Sequence, residues 1–313
     1  MARDRVVALS GGVGGAKLAL GLSRVVPDGR LMVVANTGDD FEHLGLAVSP
    51  DLDTLLYTLA GLDNPETGWG RRGETWSFMA ALAVLGGESW FRLGDGDLAT
   101  HVERTRLLAA GETLAQITSA FAQRLGIAAR IVPMSGDPVR TRLRTEEGWL
   151  DFQDYFVRRR SVPQVREIAY DGAAEARPNR DFITALADPE LRAVVICPSN
   201  PFLSIEPILA MPGVRSALAL CAAPVVAVAP LIGGEAVKGP TAKIMRELGL
   251  EASAAAVARR YADLLDVYVV DRQDAAGEVP GIKLVPAATL MLTLADREAL
   301  ARTVLAAADE ARR

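Results

Sequence analysis

The chain has 313 residues, half of them hydrophobic but only 5% aromatic, and 23% charged. That composition excludes extensive disorder and calls for a core of Ala, Val, Leu and Ile, the material of parallel sheets covered by helices. A net charge of −5 argues against a surface that tracks nucleic acid, while leaving room for a local cationic pocket.

In chain order, Arg5 to Leu9 is a β-branched run that enters a glycine cluster, Ser10-Gly11-Gly12-Val13-Gly14-Gly15. Ala16 to Val25 then has helical spacing, and Leu31 to Ala35 is a second apolar run of strand length. Strand, glycine turn, helix and strand form one right-handed parallel βαβ unit. Glycines Gly11, Gly12, Gly14 and Gly15 let backbone N–H groups approach a phosphate at a helix N-terminus, and Lys17 follows as a cation. The bland reading is a tight strand-to-helix turn. The motif is neither a Walker A sequence nor G-x-G-x-x-G, and Asn36 stands where a dinucleotide-binding fold places an acid.

Asn36-Thr37-Gly38-Asp39-Asp40 leaves the carboxyl end of the second strand, the edge where open α/β sheets bind ligands. Ser49-Pro50-Asp51-Leu52-Asp53-Thr54 then opens a helix. Asp39, Asp51 and Asp53 are candidate Mg²⁺ ligands, since Mg²⁺ takes one or two protein carboxylates together with substrate phosphates. Helix capping by Ser49, Asp51 or Asp53 is the alternative. Helical periodicity continues over Trp76 to Leu85, Leu98 to Ala110 and Leu114 to Leu125. The loop Arg92-Leu93-Gly94-Asp95-Gly96-Asp97 offers Arg92 to an anion, with Asp95 or Asp97 as a cap and His101 as an ordinary helix residue.

Short strands are expected at Ala128 to Val132, Arg140 to Thr145 and Trp149 to Phe152, followed by a basic run, Arg158-Arg159-Arg160, that reads as a solvated face or a phosphate contact. Residues 100–179 read as an inserted mixed helical and β subdomain, with 1–99 and 180–313 forming the nucleotide-binding core. The α/β pattern resumes with strands at Ala193 to Ile196, Pro224 to Ala229, Val267 to Val270 and Ile282 to Val285. Two of these end in polar loops, Cys197-Pro198-Ser199-Asn200 and Gly233 to Gly239, whose Ser199, Asn200, Gly233, Lys238 and Gly239 suit a nucleotide pocket. Asp296 to Ala311 closes as an Ala-rich helix. The expected fold is a three-layer, Rossmann-like, doubly wound and mainly parallel sheet.

Cys197 and Cys221 have no metal-ligand spacing, His43 and His101 are the only histidines, and no G-x-S-x-G elbow is present, so a Cys/His zinc site and covalent acyl chemistry are not expected. With no signal core at the N-terminus and no apolar stretch of membrane-spanning length, a cytoplasmic enzyme is expected.

Taken together, LSGGVGGAKLALGL, NTGDDFEHLGLAVSPDLDTLLYTLAG, WFRLGDGDLATH, FQDYFVRRR, CPSNPFLSI and PLIGGEAVKGPTAK resemble the 2-phospho-L-lactate transferase family of coenzyme F-420 biosynthesis. The resemblance implies an enzyme that moves a phospho-acid group (2-phospholactyl, phosphoenolpyruvyl or 3-phosphoglyceryl) from its guanosine diphosphate ester to the ribityl hydroxyl of the deazaflavin Fo. GMP leaves and Mg²⁺ is required. It carries Fo contacts onto Asp53 and Arg92, with Thr37 and Asp40 beside them, catalysis onto Asp51 and Asp53, and a homodimer as the usual assembly. The alternative is a non-catalytic nucleotide or nucleotide-sugar binding regulator sharing the SGGxGG start. The chain departs from the usual family pattern at Val13, often Thr, and at Gly96, often Arg.

Overall fold

The computed structural model describes residues 3–274 and 278–312. Strand β1 (Arg5–Ser10) runs into helix α1 (Gly12–Val25) and strand β2 (Leu31–Ala35). A hairpin of β3 (Phe41–His43) and β4 (Leu46–Val48) precedes α2 (Pro50–Leu59), α3 (Ser77–Val84), α4 (Asp95–Ala109) and α5 (Leu114–Arg124). Next come β5 (Arg130–Pro133), β6 (Arg140–Thr145), β7 (Gly148–Asp151) and β8 (Glu167–Asp171). Helix α6 (Arg180–Leu186), β9 (Leu191–Ile196), α7 (Glu206–Leu209), α8 (Val214–Ala219) and β10 (Val225–Val228) follow. A small hairpin, β11 (Leu231–Ile232) with β12 (Glu235–Ala236), leads to α9 (Thr241–Glu247) and α10 (Ala254–Arg260). The described chain closes with β13 (Val267–Asp271), β14 (Lys283–Ala287) and α11 (Leu294–Ala311).

Seven strands form the central sheet in the order β14-β13-β10-β9-β1-β2-β5, and every pairing is parallel. Because successive side chains of a strand point to opposite faces, each strand feeds two cores. Val6, Ala8, Val33, Val195 and Val228 pack on one face with residues of α1, α2, α5 and α11. Val7, Leu9, Val34, Val194 and Ile196 pack on the other with residues of α6, α8, α10 and the β6–β8 sheet. This is the doubly wound, three-layer architecture expected from the strand runs.

From β1 the chain winds outward to β2 and β5, then returns to β9 on the other flank of β1. The loops leaving β1 and β9 therefore diverge and leave a crevice at the carboxyl edge, the topological switch point of such sheets.

The boundary expected at residue 100 does not coincide with a structural one. Helix α5 packs in the first core and β5 is the edge strand beside β2, because Ile131 and Val132 each fill one of the two cores. The strands of residues 100–179 that lie outside the central sheet form the antiparallel β7-β6-β8 sheet. The β3–β4 hairpin, β8 and α6 are elements that sequence periodicity did not mark, each being short.

Candidate functional site

The glycine loop fits the crevice because no side chain would. A Cβ on Gly11 would lie 2.5 Å from Ser204 Cβ, one on Gly14 2.4 Å from the Pro198 carbonyl, and one on Gly15 2.6 Å from Ser199 Oγ. Ser199 Oγ closes the contact by accepting from Gly11 N–H (3.1 Å) and donating to the Gly11 carbonyl (2.8 Å). The loops after β1 and β9 are thus stitched across the switch point. Asn200 is spent locally, its Oδ1 accepting from the Phe202 and Leu203 N–H groups.

Asp51 reaches into this loop from the first turn of α2. Its Oδ1 accepts from Gly12 N–H at 2.6 Å and its Oδ2 from Asn36 Nδ2 at 2.9 Å. Asn36 Nδ2 also lies 3.3 Å from Asp39 Oδ1, so one amide serves two buried carboxylates. Burial pushes the Asp39 carboxyl well above the usual range, with Asp51 and Asp40 pushing the same way. Burial also lifts Asp51 to about 6, against the bonds from Asn36 and Gly12. Asp40 is raised to about 8 by burial, although Ser49 Oγ donates to its Oδ2 at 2.9 Å. Asp40 Oδ1, Thr37 Oγ1 and Ser10 Oγ are buried without a partner. Two crowded carboxylates with raised pKa have the chemistry that favours taking up a proton or a cation.

Ser49, Asp51 and Asp53 do not cap α2 through their side chains. Ser49 makes no cap bond, and both aspartates lie inside the first turn with their carboxylates turned to tertiary partners. The partner of Asp53 is Arg104 of α4, which is 1% exposed and binds both carboxylate oxygens. His101 Nδ1 lies 3.6 Å from Asp53 Oδ2, and its Nε2 lies 3.3 Å from Asp97 Oδ1. Tyr57 OH donates to Asp97 Oδ1 at 2.7 Å. Asp53, Asp97 and His101 have ligand atoms close enough for a metal, yet the Arg104 guanidinium already stands at Asp53 as the counter-charge. The geometry groups Asp39 with Asp51 and ties Asp53 elsewhere.

Beyond the loop, α1 carries Lys17 to a cavity of about 200 Å³ that Lys238 also lines. Lys17 Nζ donates to Met291 O at 3.0 Å, and Lys238 Nζ to Thr67 O at 3.1 Å. Gly233 sits in the β11–β12 turn with its N–H on Asp274 Oδ2 (3.0 Å), and Gly239, at φ 77°, precedes α9. Arg92 is exposed and stacks over Trp76, 4.2 Å from the ring centre.

A model of the family described as 2-phospho-L-lactate transferase CofD matches residues 6–285. The chain belongs to the CofD family. It is 43% identical to the phosphoenolpyruvate transferase of Kitasatospora aureofaciens, with 98% of this chain and 99% of that protein covered. It is 38% identical to the 2-phospho-L-lactate transferase of Methanosarcina mazei, over 96% of this chain and all of the other. A solved UPF0052-family protein from Bacillus halodurans shares the fold at TM-score 0.65 and 13% identity, covering 97% of this chain and 99% of that one. This CofD-family chain is accordingly an enzyme of the transferase kind that serves F-420 biosynthesis. Among the described residues no helix is long and apolar enough to cross a membrane.

Sequence reasoning passed over the α4 face. Asp97, His101 and Arg104 fall at i, i+4 and i+7, one side of a helix, and all three are buried. The periodicity was available, but a charged stripe reads as solvent-facing until its partner element is known. The cap expected of Asp95 or Asp97 falls instead to Glu74, which accepts from Gly96 and Asp97 N–H at the start of α4, while Asp95 accepts from the Ser77 and Phe78 N–H groups at the start of α3. Gly96 is thereby bonded to Glu74. Arg158 lies over Trp90, and Arg159 pairs with Glu147 and Asp154.

Proposed function

We propose that this transferase moves a phosphoenolpyruvyl group from its guanosine diphosphate ester to the ribityl hydroxyl of Fo, releasing GMP. The observation that carries the reading is the Asp39–Asp51 pair, joined by the Asn36 amide, with Asp51 accepting from Gly12 N–H at the switch point. Phosphoryl transfer asks for alignment and charge neutralisation more than for a covalent nucleophile, and this crevice offers both. The name of the 43%-identical relative cited above, a phosphoenolpyruvate transferase, favours enolpyruvate as the acid.

Asp39 and Asp51 would hold Mg²⁺: the donor set is oxygen only, the carboxylates are shared by one amide, and the neighbouring Ser10, Thr37 and Asp40 oxygens lack partners. An ion held by Asp39 and Asp51 would supply charge neutralisation to the donor phosphates. Asn36 holds the two carboxylates in register, and the Gly11–Gly15 backbone lies along the donor phosphates. Asp40, with one free oxygen and a raised pKa, is suited to accept the proton of the incoming Fo hydroxyl, with Thr37 beside it. Asp53, held by Arg104, orients the acceptor side, and Ser199 and Lys238 complete the donor side. Arg92 offers a surface guanidinium to the deazaflavin.

The test is turnover of purified protein with Fo, Mg²⁺ and guanosine diphosphate esters of lactate, enolpyruvate and glycerate, following phosphodiester and GMP by mass spectrometry. Fastest transfer from the enolpyruvyl donor is expected. Faster transfer from another donor would replace the acid, and no transfer from any donor would end the reading.

A further inference from the structure

Arg297 lies in the first turn of α11, beyond the span of the family match. It lines the same 200 Å³ cavity as Lys17 and Lys238. Val13 and Thr54 line that cavity too, so it adjoins both the glycine loop and the residue after Asp53. Among the described residues none of these three cations forms an ion pair, although Asp63 and Glu66 also line the wall. Five residues on, Arg302 of the same helix is paired with Glu298. Each lysine spends one donor on a carbonyl, and Arg297 Nε is buried with no partner. Burial lowers the Lys17 pKa, and Arg297 and Lys238 lower it further, against the pull of Asp63. Such crowding of positive charge is relieved by an anion.

The position of Arg297 is also fixed. A Cβ at Gly21 would lie 2.1 Å from the Arg297 carbonyl, so the backbones of α1 and α11 meet at this residue. Arg297 is therefore held relative to the helix whose N-terminus forms the loop. Five residues of helix separate Gly12 from Lys17, about 7.5 Å at 1.5 Å per residue. A donor reacting at the loop reaches the cavity with a second charged group.

We propose that this cavity is an oxyanion subsite for the donor, with Arg297 as its third cation and a specificity-determining contact. The proposal rests on the donor reading above, and the ligand group is a phosphate or carboxylate oxygen cluster. Three probes separate its source: inorganic pyrophosphate and GMP report the nucleotide's phosphates, and phosphoenolpyruvate reports the acid. Isothermal titration calorimetry on the full chain should show R297Q binding at least one of them tenfold or more weakly. R297K should recover most of the loss, and R302Q on the same helix should match wild type. Loss confined to pyrophosphate and GMP assigns the subsite to the nucleotide, and loss confined to phosphoenolpyruvate assigns it to the acid. Equal affinities of R297Q and wild type for all three probes would overturn it, as would a wild type that binds none. An unchanged thermal midpoint for R297Q is expected, since no buried partner is orphaned. Arg297-dependent binding without turnover would sink the transfer chemistry and leave the subsite standing; turnover with R297Q unimpaired would do the reverse.

Discussion

Two aspartates two positions apart on α2 have opposite assignments, and the difference is one of counter-charge. Asp53 has a guanidinium on both oxygens, whereas Asp51 has only an amide and a backbone N–H. Removing one partner of a buried ion pair leaves a bare charge and costs about 3–5 kcal/mol. R104M should lose that order of stability in urea unfolding, and adding D53N should recover part of it through a coupling of about 0.5–3 kcal/mol. Strict additivity would show that the pair is not coupled. Asp51 gives a pH dependence of definite sign. Its pKa rises from 3.8 unfolded to about 6 folded, so the native state holds the proton more tightly. The stabilisation is complete below pH 4 and fades as pH rises through 6, by about 3 kcal/mol at about 1.4 kcal/mol per unit. A divalent cation held by Asp51 would replace that proton, so a rise in unfolding temperature on adding Mg²⁺ should be small at pH 5 and larger at pH 8. D51N should abolish the difference; an Mg²⁺ effect that D51N leaves unchanged would remove Asp51 from the metal site.

At the scale of elements, the glycine-rich loop and the strand runs were legible because their signals are local: β-branched runs for strands, glycines for close backbone approach. Long-range partners leave no such signal. Asp53 pairs across 51 residues with Arg104, and Gly21 meets α11 across 276, so neither role can be read from spacing. The Gly21 contact makes the sharper prediction. Gly21→Ala forces a methyl against the Arg297 carbonyl and should cost about 1–3 kcal/mol by overpacking, despite the better helix propensity of Ala. Equilibrium denaturation measures it, and a stabilised variant would show that α1 and α11 are not in backbone contact. Because that crossing also holds Arg297, affinity for the anion probes should fall with it.

The whole molecule depends on α11 more than the family match, which ends at residue 285, suggests. The helix covers the part of one core that α2 and α5 do not reach, burying Leu300, Val304 and Leu305 with Ala301, Ala307 and Ala308 against α1 and the sheet. Three large side chains at roughly 1.5–3 kcal/mol each amount to about 5–9 kcal/mol, against a typical total stability of about 5–15. A chain ending at Thr293 should therefore fail to fold cooperatively, binding a hydrophobic dye and showing no sharp thermal transition. A soluble, cooperative truncation would mean that α1 and the sheet close the core unaided. If it folded and still bound pyrophosphate like the full chain, α11 would have no part in the subsite either. In the proposed reading the glycine loop would meet the donor phosphates at one end of α1, and α11 meets the same helix further along, at Gly21. With the proposed subsite, one contact between α1 and α11 would serve both stability and donor recognition.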